Sequence, residues 1–304
     1  MTPVRALSPG DSIGIAAPAS PFDRSWFMKG IGTLKKFGFR PVYRSDIFDQ
    51  NRYLAGTDER RSQEFMEFMC DEMIAAVMFA RGGYGCQRVI PLLDLEKLKR
   101  HPKPVIGFSD ITALLTFLQQ AAGIPTFYGP VLTQLGRTKG TLTGKNLFRA
   151  LTSKGTLGTM PMGQAHTIRP GRATGTLAGG CLSLINSSMG TPYELKTEGR
   201  ILFIEETGEK VYVLDRMLTQ LKNSGKLDLV RGVVFGSLIP TEDEPHDVEA
   251  MIRELFEGFD GPVIAGFPAG HTDEFVTLPL GAQVELEAPG DEPPRLTYTT
   301  GLLS

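Results

Sequence analysis

The chain has 304 residues, of which 41% are apolar and 22% charged, and its formal net charge is −2. This composition is typical of a globular protein, and a chain longer than about 250 residues favours two domains over one. The near-neutral charge, with Lys and Arg spread along the chain, argues against a nucleic-acid-binding surface. Every apolar stretch is far shorter than the roughly 20 residues of a membrane helix, so no membrane contact is expected.

The first half of the chain alternates between apolar stretches and helical patterns. Helices are predicted from a cap at Ser20 or Asp23 to about residue 36, from a cap at Thr57, and over residues 110–120. Between them lie predicted buried strands at residues 11–17, 41–44, 74–80 and 104–107. Strands that are apolar throughout and separated by helices indicate a parallel sheet covered on both faces.

The second half is organised differently. Residues 136–170 are rich in Gly, Thr and Lys, and we interpret them as an interdomain connection with one short helix at 145–151. Buried strands at 201–204, 232–235 and 263–266 follow, and the alternating pattern of residues 275–298 predicts antiparallel strands. The predicted fold class is therefore α/β, with a Rossmann-like domain at residues 1–135 and a smaller, β-rich domain at residues 171–304.

Ser109 is the first candidate for chemistry. It lies between the predicted strand at 104–107 and the helix that begins near Asp110. A Ser on such a turn is lifted into the crevice at the carboxyl ends of the strands, and the backbone N–H of Asp110 lies at the positive end of the helix. This arrangement would supply a nucleophile and an oxyanion donor. Alternatively, Ser109 only caps the helix, since Ser is a favoured N-cap residue.

A glycine-rich loop, ARGGYG, follows the third predicted strand. Gly82 and Gly83 allow the backbone to approach a ligand closely, and we interpret their N–H groups as further oxyanion donors. The alternatives are a plain turn or a nucleotide loop, but the spacing is not GxGxxG. Arg81 would meet a substrate carboxylate or form a structural ion pair, and we expect Tyr84 to contact substrate. Cys86 is a less favoured nucleophile, because most Cys residues are small buried side chains.

A carboxylate and an imidazole lie at the ends of two later strands. Glu205 is the first charged residue after the apolar run at 201–204, and His271 follows a Pro-Ala-Gly bend. A His at a strand end is suited to general-base catalysis, and a neighbouring carboxylate would orient it. Glu206 and Glu209 compete with Glu205 for this role.

The other histidines and the cysteines give no comparable signal for catalysis or metal binding. The remaining histidines, at positions 101, 166 and 246, lie in polar, loop-like contexts. The three cysteines are widely spaced, and neither CxxC nor HExxH occurs, so we predict neither a metal nor a disulfide framework.

The order of several motifs resembles the LD-carboxypeptidase family, which includes muramoyltetrapeptide carboxypeptidases and microcin-immunity serine peptidases. The shared motifs run nearly from end to end: GDSIGIAAPAS, YLAGTDERR, ARGGYG, GFSD, YGP, GTLAGGCLSL, LFIEETGE and PAGHTDEFVTLPLG. The resemblance implies that Ser109 is the nucleophile, that Glu205 and His271 complete the triad, and that the backbone of Asp110 and of Gly82 or Gly83 binds the oxyanion. The family often has Asp where this chain has Glu206.

The resemblance also implies a reaction and a setting. We expect a serine carboxypeptidase without a cofactor that removes D-alanine from the L-diamino acid of a murein tetrapeptide during peptidoglycan recycling. A homodimer is expected, and so is a cytoplasmic location, since the first 20 residues show no signal-peptide pattern. The alternatives are a microcin-immunity-like hydrolase of peptidyl- or aminoacyl-nucleotides and a small-molecule-binding protein without catalysis.

Overall fold

The computed structural model describes residues 4–137, 141–241 and 247–304, with only the backbone at residue 141. The chain forms two compact units. The first comprises Met1–Lys154, Asp273–Pro279 and Leu302–Ser304, and the second comprises Gly155–Thr272 and Leu280–Gly301. Each unit is built around a sheet of its own.

A six-stranded sheet forms the centre of the first unit. Its order is β12-β5-β4-β3-β1-β2, and the pairs from β5 to β2 are all parallel. The chain leaves β1 to form β2 on one side and then returns to form β3 on the other, so the topology switches at β1 and β3. The strands are β1 Ser12–Ala16, β2 Arg40–Val42, β3 Ile74–Phe79, β4 Val105–Gly107, β5 Thr126–Tyr128 and, after the second unit's first strands, β12 Leu278–Leu280.

Seven helices accompany this sheet in the described residues. They are α1 Arg24–Lys36, α2 Asp58–Cys70, α3 Cys86–Val89, α4 Leu95–Arg100, α5 Ile111–Ala122, α6 Leu132–Arg137 and α7 Thr141–Thr152. Side-chain caps mark the starts of α1 and α2, among others: the Asp23 carboxylate accepts from Trp26 N, and the Thr57 hydroxyl accepts from Arg60 N. Both caps satisfy an N–H that has no partner inside its helix. Of the two predicted caps for α1, the structure selects Asp23.

The second unit is built on an eight-stranded sheet with the order β6-β14-β13-β8-β9-β10-β11-β7. Its central pairs from β8 to β11 are parallel, and the outer pairs are antiparallel. The strands are β6 Gly158–Thr159, β7 His166–Arg169, β8 Gly171–Cys181, β9 Arg200–Thr207, β10 Gly232–Ile239, β11 Val263–Ala265, β13 Gln283–Ala288 and β14 Arg295–Tyr298. The antiparallel pairing of β13 with β14 agrees with the alternating pattern of that segment.

Three helices of the described chain accompany this sheet: α8 Leu182–Ser187, α9 Val211–Asn223 and α10 Val248–Leu255. Each contributes apolar side chains to one buried core. In α9, Leu214, Leu218 and Leu221 recur at helical spacing and join this core together with Phe235 of β10. No helix in the described ranges is long and apolar enough to cross a bilayer.

The predicted fold class is confirmed, since a parallel sheet and a second sheet are both present. The segment at 136–170 contains more regular structure than the sequence suggested. Within it lie helix α7 and the strands β6 and β7, which form the two edges of the second sheet. Edge strands pair on one side only, so short polar sequences suffice for them. The predicted domain limits themselves stay a prediction.

Candidate active site

Ser109 has an unusual backbone in the first unit. It lies between β4 and α5 and has a φ of 65°, a left-handed value that it shares with Arg52 among the described non-glycine residues. A residue that caps a helix with its side chain normally has an extended backbone, which Ser109 lacks. The residue at the N-cap position of α5 is Asp110, whose backbone is helical (φ −52°, ψ −27°) and whose side chain makes no cap bond. The alternative role of Ser109 as a helix cap is therefore not what the structure shows. Strained residues of this kind are typical of the turn that presents a nucleophile in α/β-hydrolases.

The glycine-rich loop after β3 lies against Ser109. A Cβ added to Gly82 would lie 2.9 Å from the Ser109 Cβ, 3.1 Å from its Oγ and 3.4 Å from the Asp110 N. Gly83 has a φ of 104°, which side chains rarely adopt. The sequence thus places glycine where the loop must approach Ser109 and where its backbone turns. The loop backbone at Gly82 therefore lies next to Ser109 Oγ and Asp110 N, the two atoms around which an oxyanion site would form.

The position of these loops follows from the sheet topology. The segments after β1 and β3 leave the sheet at the switch point, and Ser109 follows β4, the neighbour of β3. Ligands of open parallel sheets bind in the crevice at such a point. The same edge of the sheet therefore holds Ser109 and the glycine-rich loop.

Asp110 connects the turn at Ser109 to helix α3. Its buried carboxylate accepts a hydrogen bond from the Cys86 N at 2.9 Å, at the start of α3. Burial raises the pKa of the Asp110 carboxyl and that of the Cys86 thiol. A fully buried thiol that stays protonated is a poor nucleophile, so the structure disfavours the alternative role of Cys86.

Two further residues of the loop were candidates for binding substrate. Arg81 is exposed and donates to the carbonyl of Pro21 at 2.6 Å, and Tyr84 is half exposed, with its ring 5.8 Å from that of Tyr53. Both side chains are accessible to a ligand. Their contact with substrate stays a prediction.

In the second unit, Glu205 and His271 form a hydrogen-bonded pair. The Glu205 side chain is fully buried at the end of β9, and its Oε2 lies 2.8 Å from the His271 Nδ1 and 3.2 Å from the His271 N. Because a carboxylate only accepts hydrogen bonds, Nδ1 carries the proton in this pair, and Nε2 of the neutral ring holds the lone pair. This is the tautomer that a general base requires.

Gly270 makes this approach sterically feasible. Its φ is 114°, and a Cβ at this position would lie 2.5 Å from the Glu205 Oε2 and from the Ser237 Oγ. The bend before His271 therefore needs glycine for two reasons. Its φ is one that other residues rarely adopt, and a side chain would occupy the space of the Glu205 carboxylate.

Glu206 faces a different set of donors. Its carboxylate accepts from the Ser183 N at 2.7 Å and the Thr207 N at 3.0 Å, with the Cys181 Sγ at 3.3 Å. Successive residues of a strand point to opposite faces, so only one of two adjacent glutamates can reach His271. In the structure that residue is Glu205.

The other histidines have separate surroundings. The His166 Nε2 lies 2.8 Å from Glu249 at the surface, His101 ends α4, and His246 lies outside the described residues. Over residues 4–137, 141–241 and 247–304, no three His, Cys, Asp or Glu side chains cluster as metal ligands.

Two residues beside the glycine-rich loop make contacts that the sequence did not predict. Ser20 was a candidate helix cap, but its Oγ accepts from the Tyr84 N at 3.1 Å. Arg61 is fully buried, although its segment, DERRSQ, has the polar pattern of an exposed face. Its guanidinium donates to the carbonyls of Pro18 and Gly85. The signal available for Ser20 was its position after β1 at a topological switch. Nothing local distinguishes Arg61 from the other polar residues of its segment.

Comparison with known proteins identifies the family. The model of the LD-carboxypeptidase N-terminal domain matches residues 13–129, and that of the C-terminal domain matches residues 174–286. The chain is 35% identical over 293 residues to a probable murein peptide carboxypeptidase of Bacillus subtilis (strain 168), covering 93% of this chain and 90% of the relative.

Solved structures agree with this result. A muramoyltetrapeptide carboxypeptidase from Oxalobacter formigenes has a TM-score of 0.84 and 29% identity, covering 95% of this chain and 98% of the other. The microcin C7 self-immunity protein MccF in its apo state has a TM-score of 0.92 and 26% identity, with both chains covered fully. The resemblance seen in the sequence is confirmed, and the chain belongs to the LD-carboxypeptidase family of serine peptidases.

Proposed function

We propose that this protein hydrolyses the bond between the L-configured centre of a diamino acid and the terminal D-alanine of a murein tetrapeptide. Ser109 is the nucleophile, His271 is the general base and acid, and Glu205 orients the imidazole. The names of the relatives support this substrate. The backbone of Ser109 and the hydrogen-bonded pair of Glu205 and His271 each support the reaction.

In the first step, His271 Nε2 takes the proton of the Ser109 hydroxyl while the oxygen attacks the scissile carbonyl. The C–N bond to D-alanine then breaks, and His271 gives the proton to the leaving amine. A water molecule attacks the resulting ester, with His271 again as base, and the peptide acid leaves as the Ser109 hydroxyl is restored. The sequence of steps requires the His271 ring to reach the Ser109 hydroxyl.

The negative oxygen of each tetrahedral intermediate needs donors that are already in place. The Asp110 N–H and an N–H of the Gly82–Gly83 segment are proposed for this role. Each such donor contributes about 3–4 kcal/mol in comparable enzymes, because it faces the charge that develops in the transition state.

The observation that carries the proposal is the backbone of Ser109. A non-glycine residue at φ 65°, between a parallel strand and a helix and against Gly82, supports the role of nucleophile, because a strained turn of this kind exposes the nucleophile in α/β-hydrolases. The hydrogen bond of 2.8 Å between Glu205 and His271 supplies the second part of the argument.

The setting is proposed together with the reaction. We expect the enzyme to act in the cytoplasm on recycled murein peptides and to be a homodimer. Cell fractionation tests the location, and light scattering of the purified chain tests the dimer, since a mass equal to one chain would contradict it.

The test of the function is incubation of the purified protein with L-Ala–D-Glu–diamino acid–D-Ala. We expect wild type to release free D-alanine, Ser109→Ala to lose this activity, and EDTA to leave it unchanged. Release that persists in Ser109→Ala would refute the assignment of the nucleophile. A parallel incubation with an aminoacyl-nucleotide tests the alternative, and faster turnover of that compound would replace the murein peptide as the substrate.

A further inference from the structure

One side chain joins the two loops that meet at the topological switch of the first sheet. The Ser20 N donates to the Gly82 O at 3.3 Å, and the Ser20 Oγ accepts from the Tyr84 N at 3.1 Å. Ser20 thus contacts the residue before and the residue after Gly83. It lies in the segment after β1, and the residues that it contacts lie in the segment after β3.

The two bonds hold successive peptide groups on either side of Gly83: the Ser20 N orients the Gly82–Gly83 peptide, and the Ser20 hydroxyl holds the N–H of the Gly83–Tyr84 peptide. The Gly82 C=O and the Gly83 N–H belong to one trans peptide group, in which the two bonds point in opposite directions. Because the C=O points at Ser20, the Gly83 N–H points away from it. On its other side the loop lies against Ser109, where a Cβ on Gly82 would come within 3.1 Å of the Oγ.

The loop cannot hold this orientation by itself. Gly83 has a φ of 104° and follows another glycine, so the peptide planes around it rotate at little steric cost. Without the Ser20 hydroxyl, the Gly83–Tyr84 peptide would lose its bond to Ser20. Gly83 would then be held on one side only, by the longer bond from the Ser20 N to the Gly82 O.

The outer ends of the two segments are held separately. Arg61 Nη1 donates to the Gly85 O at 3.0 Å and to the Pro18 O, and Arg61 is fully buried. Removing the Ser20 hydroxyl should therefore leave the segments attached to the fold and release only the glycine peptides between them.

We infer that Ser20 is a positioning residue that turns the Gly83 N–H toward the reacting carbonyl, which makes Gly83 the second oxyanion donor. This inference rests on the proposed role of Ser109 as nucleophile. It predicts that the Ser20 hydroxyl acts on the transition state and hardly at all on the binding of substrate.

The experiment compares Ser20→Ala with Ser20→Thr, which retains a hydroxyl, and with Ser62→Ala. Ser62 is a matched control, because its hydroxyl donates to the Glu59 carbonyl within α2. For Ser20→Ala we expect kcat for D-alanine release to fall by about 10- to 100-fold, less than the loss of a whole oxyanion donor, with KM changed by less than about threefold. Ser20→Thr should recover most of kcat, and Ser62→Ala should match wild type.

A second readout separates this inference from the choice of substrate. A fluorophosphonate forms a tetrahedral adduct on an activated serine and needs the same oxyanion donors, so its rate of labelling Ser109 should fall in Ser20→Ala in parallel with kcat. If no chain releases D-alanine, the proposed substrate is wrong, and the labelling rates still decide the role of Ser20. Labelling at the wild-type rate in Ser20→Ala, or a rise in KM with unchanged kcat, would overturn the inference.

Discussion

Replacement of Glu205 by Gln tests the pairing of carboxylate and imidazole directly. One oxygen of Glu205 accepts from both the Nδ1 and the N of His271, and the side chain is fully buried, so water cannot take its place. A glutamine can offer its oxygen, which keeps the geometry but loses the charge that stabilises the imidazolium. It can also offer its amide nitrogen, which favours the wrong tautomer of His271.

We expect Glu205→Gln to lower kcat by about 10³- to 10⁴-fold, the range seen when the acid of a catalytic triad becomes an amide. This loss corresponds to about 4–5 kcal/mol of transition-state stabilisation. The assay is D-alanine release at saturating tetrapeptide, with circular dichroism to show that the variant is folded.

The adjacent residue provides a matched control. Glu206 is also buried at the end of β9, but its donors are the backbone of Ser183 and Thr207. Glu206→Gln should therefore reduce stability and change kcat by less than about tenfold. If the two variants lost kcat equally, or if Glu205→Gln kept near-wild-type kcat, the assignment of the triad acid would be wrong.

Two further predictions concern the pH dependence of stability and the space that Gly270 leaves for Glu205. Burial raises the pKa of Glu64 to about 7 from 4.5, so its contribution to stability is fully present below pH 4.5, and about 3 kcal/mol is lost as the pH rises through 7. Glu64→Gln should remove this pH dependence. The free energy of unfolding by urea is measured at pH 5 and pH 8 from the fluorescence of Trp26, the single tryptophan. A difference between the two pH values as large in the variant as in wild type would contradict this prediction. Gly270→Ala places a Cβ 2.5 Å from Glu205 at a φ of 114°, and should cost about 1–3 kcal/mol of unfolding free energy and lower kcat at least about tenfold. Gly258→Ala, which adds a Cβ in open space, is its control, and equal behaviour of the two glycine variants would refute the steric argument.

Local patterns in the sequence were sufficient for many of the helices and strands. Apolar runs predicted the strands that became β1, β3 and β4. The cap at Thr57 marked the start of α2, and one of two candidate caps, Asp23, marked that of α1. These signals depend on residues within one or two turns of each other, so they can be recognised without knowledge of the fold.

Other features had no local signal. The segment DERRSQEF looks like a solvated helix face, yet Arg61 and Glu64 are fully buried because they satisfy backbone groups of the segments after β1 and β3. Burial of such charges depends on partners that are distant in the chain, and a single helix does not reveal those partners.

The sequence by itself determined the family, the alternation of strands and helices, and the residue types available at the strand ends. Only the tertiary structure decided that Glu205 and not Glu206 meets His271, that Ser109 has a left-handed backbone, and that Ser20 holds the glycine-rich loop. The physical reason is that strand pairing and pleating bring together groups tens of residues apart and choose one face for each side chain. Propensity and spacing along the chain do not contain that choice.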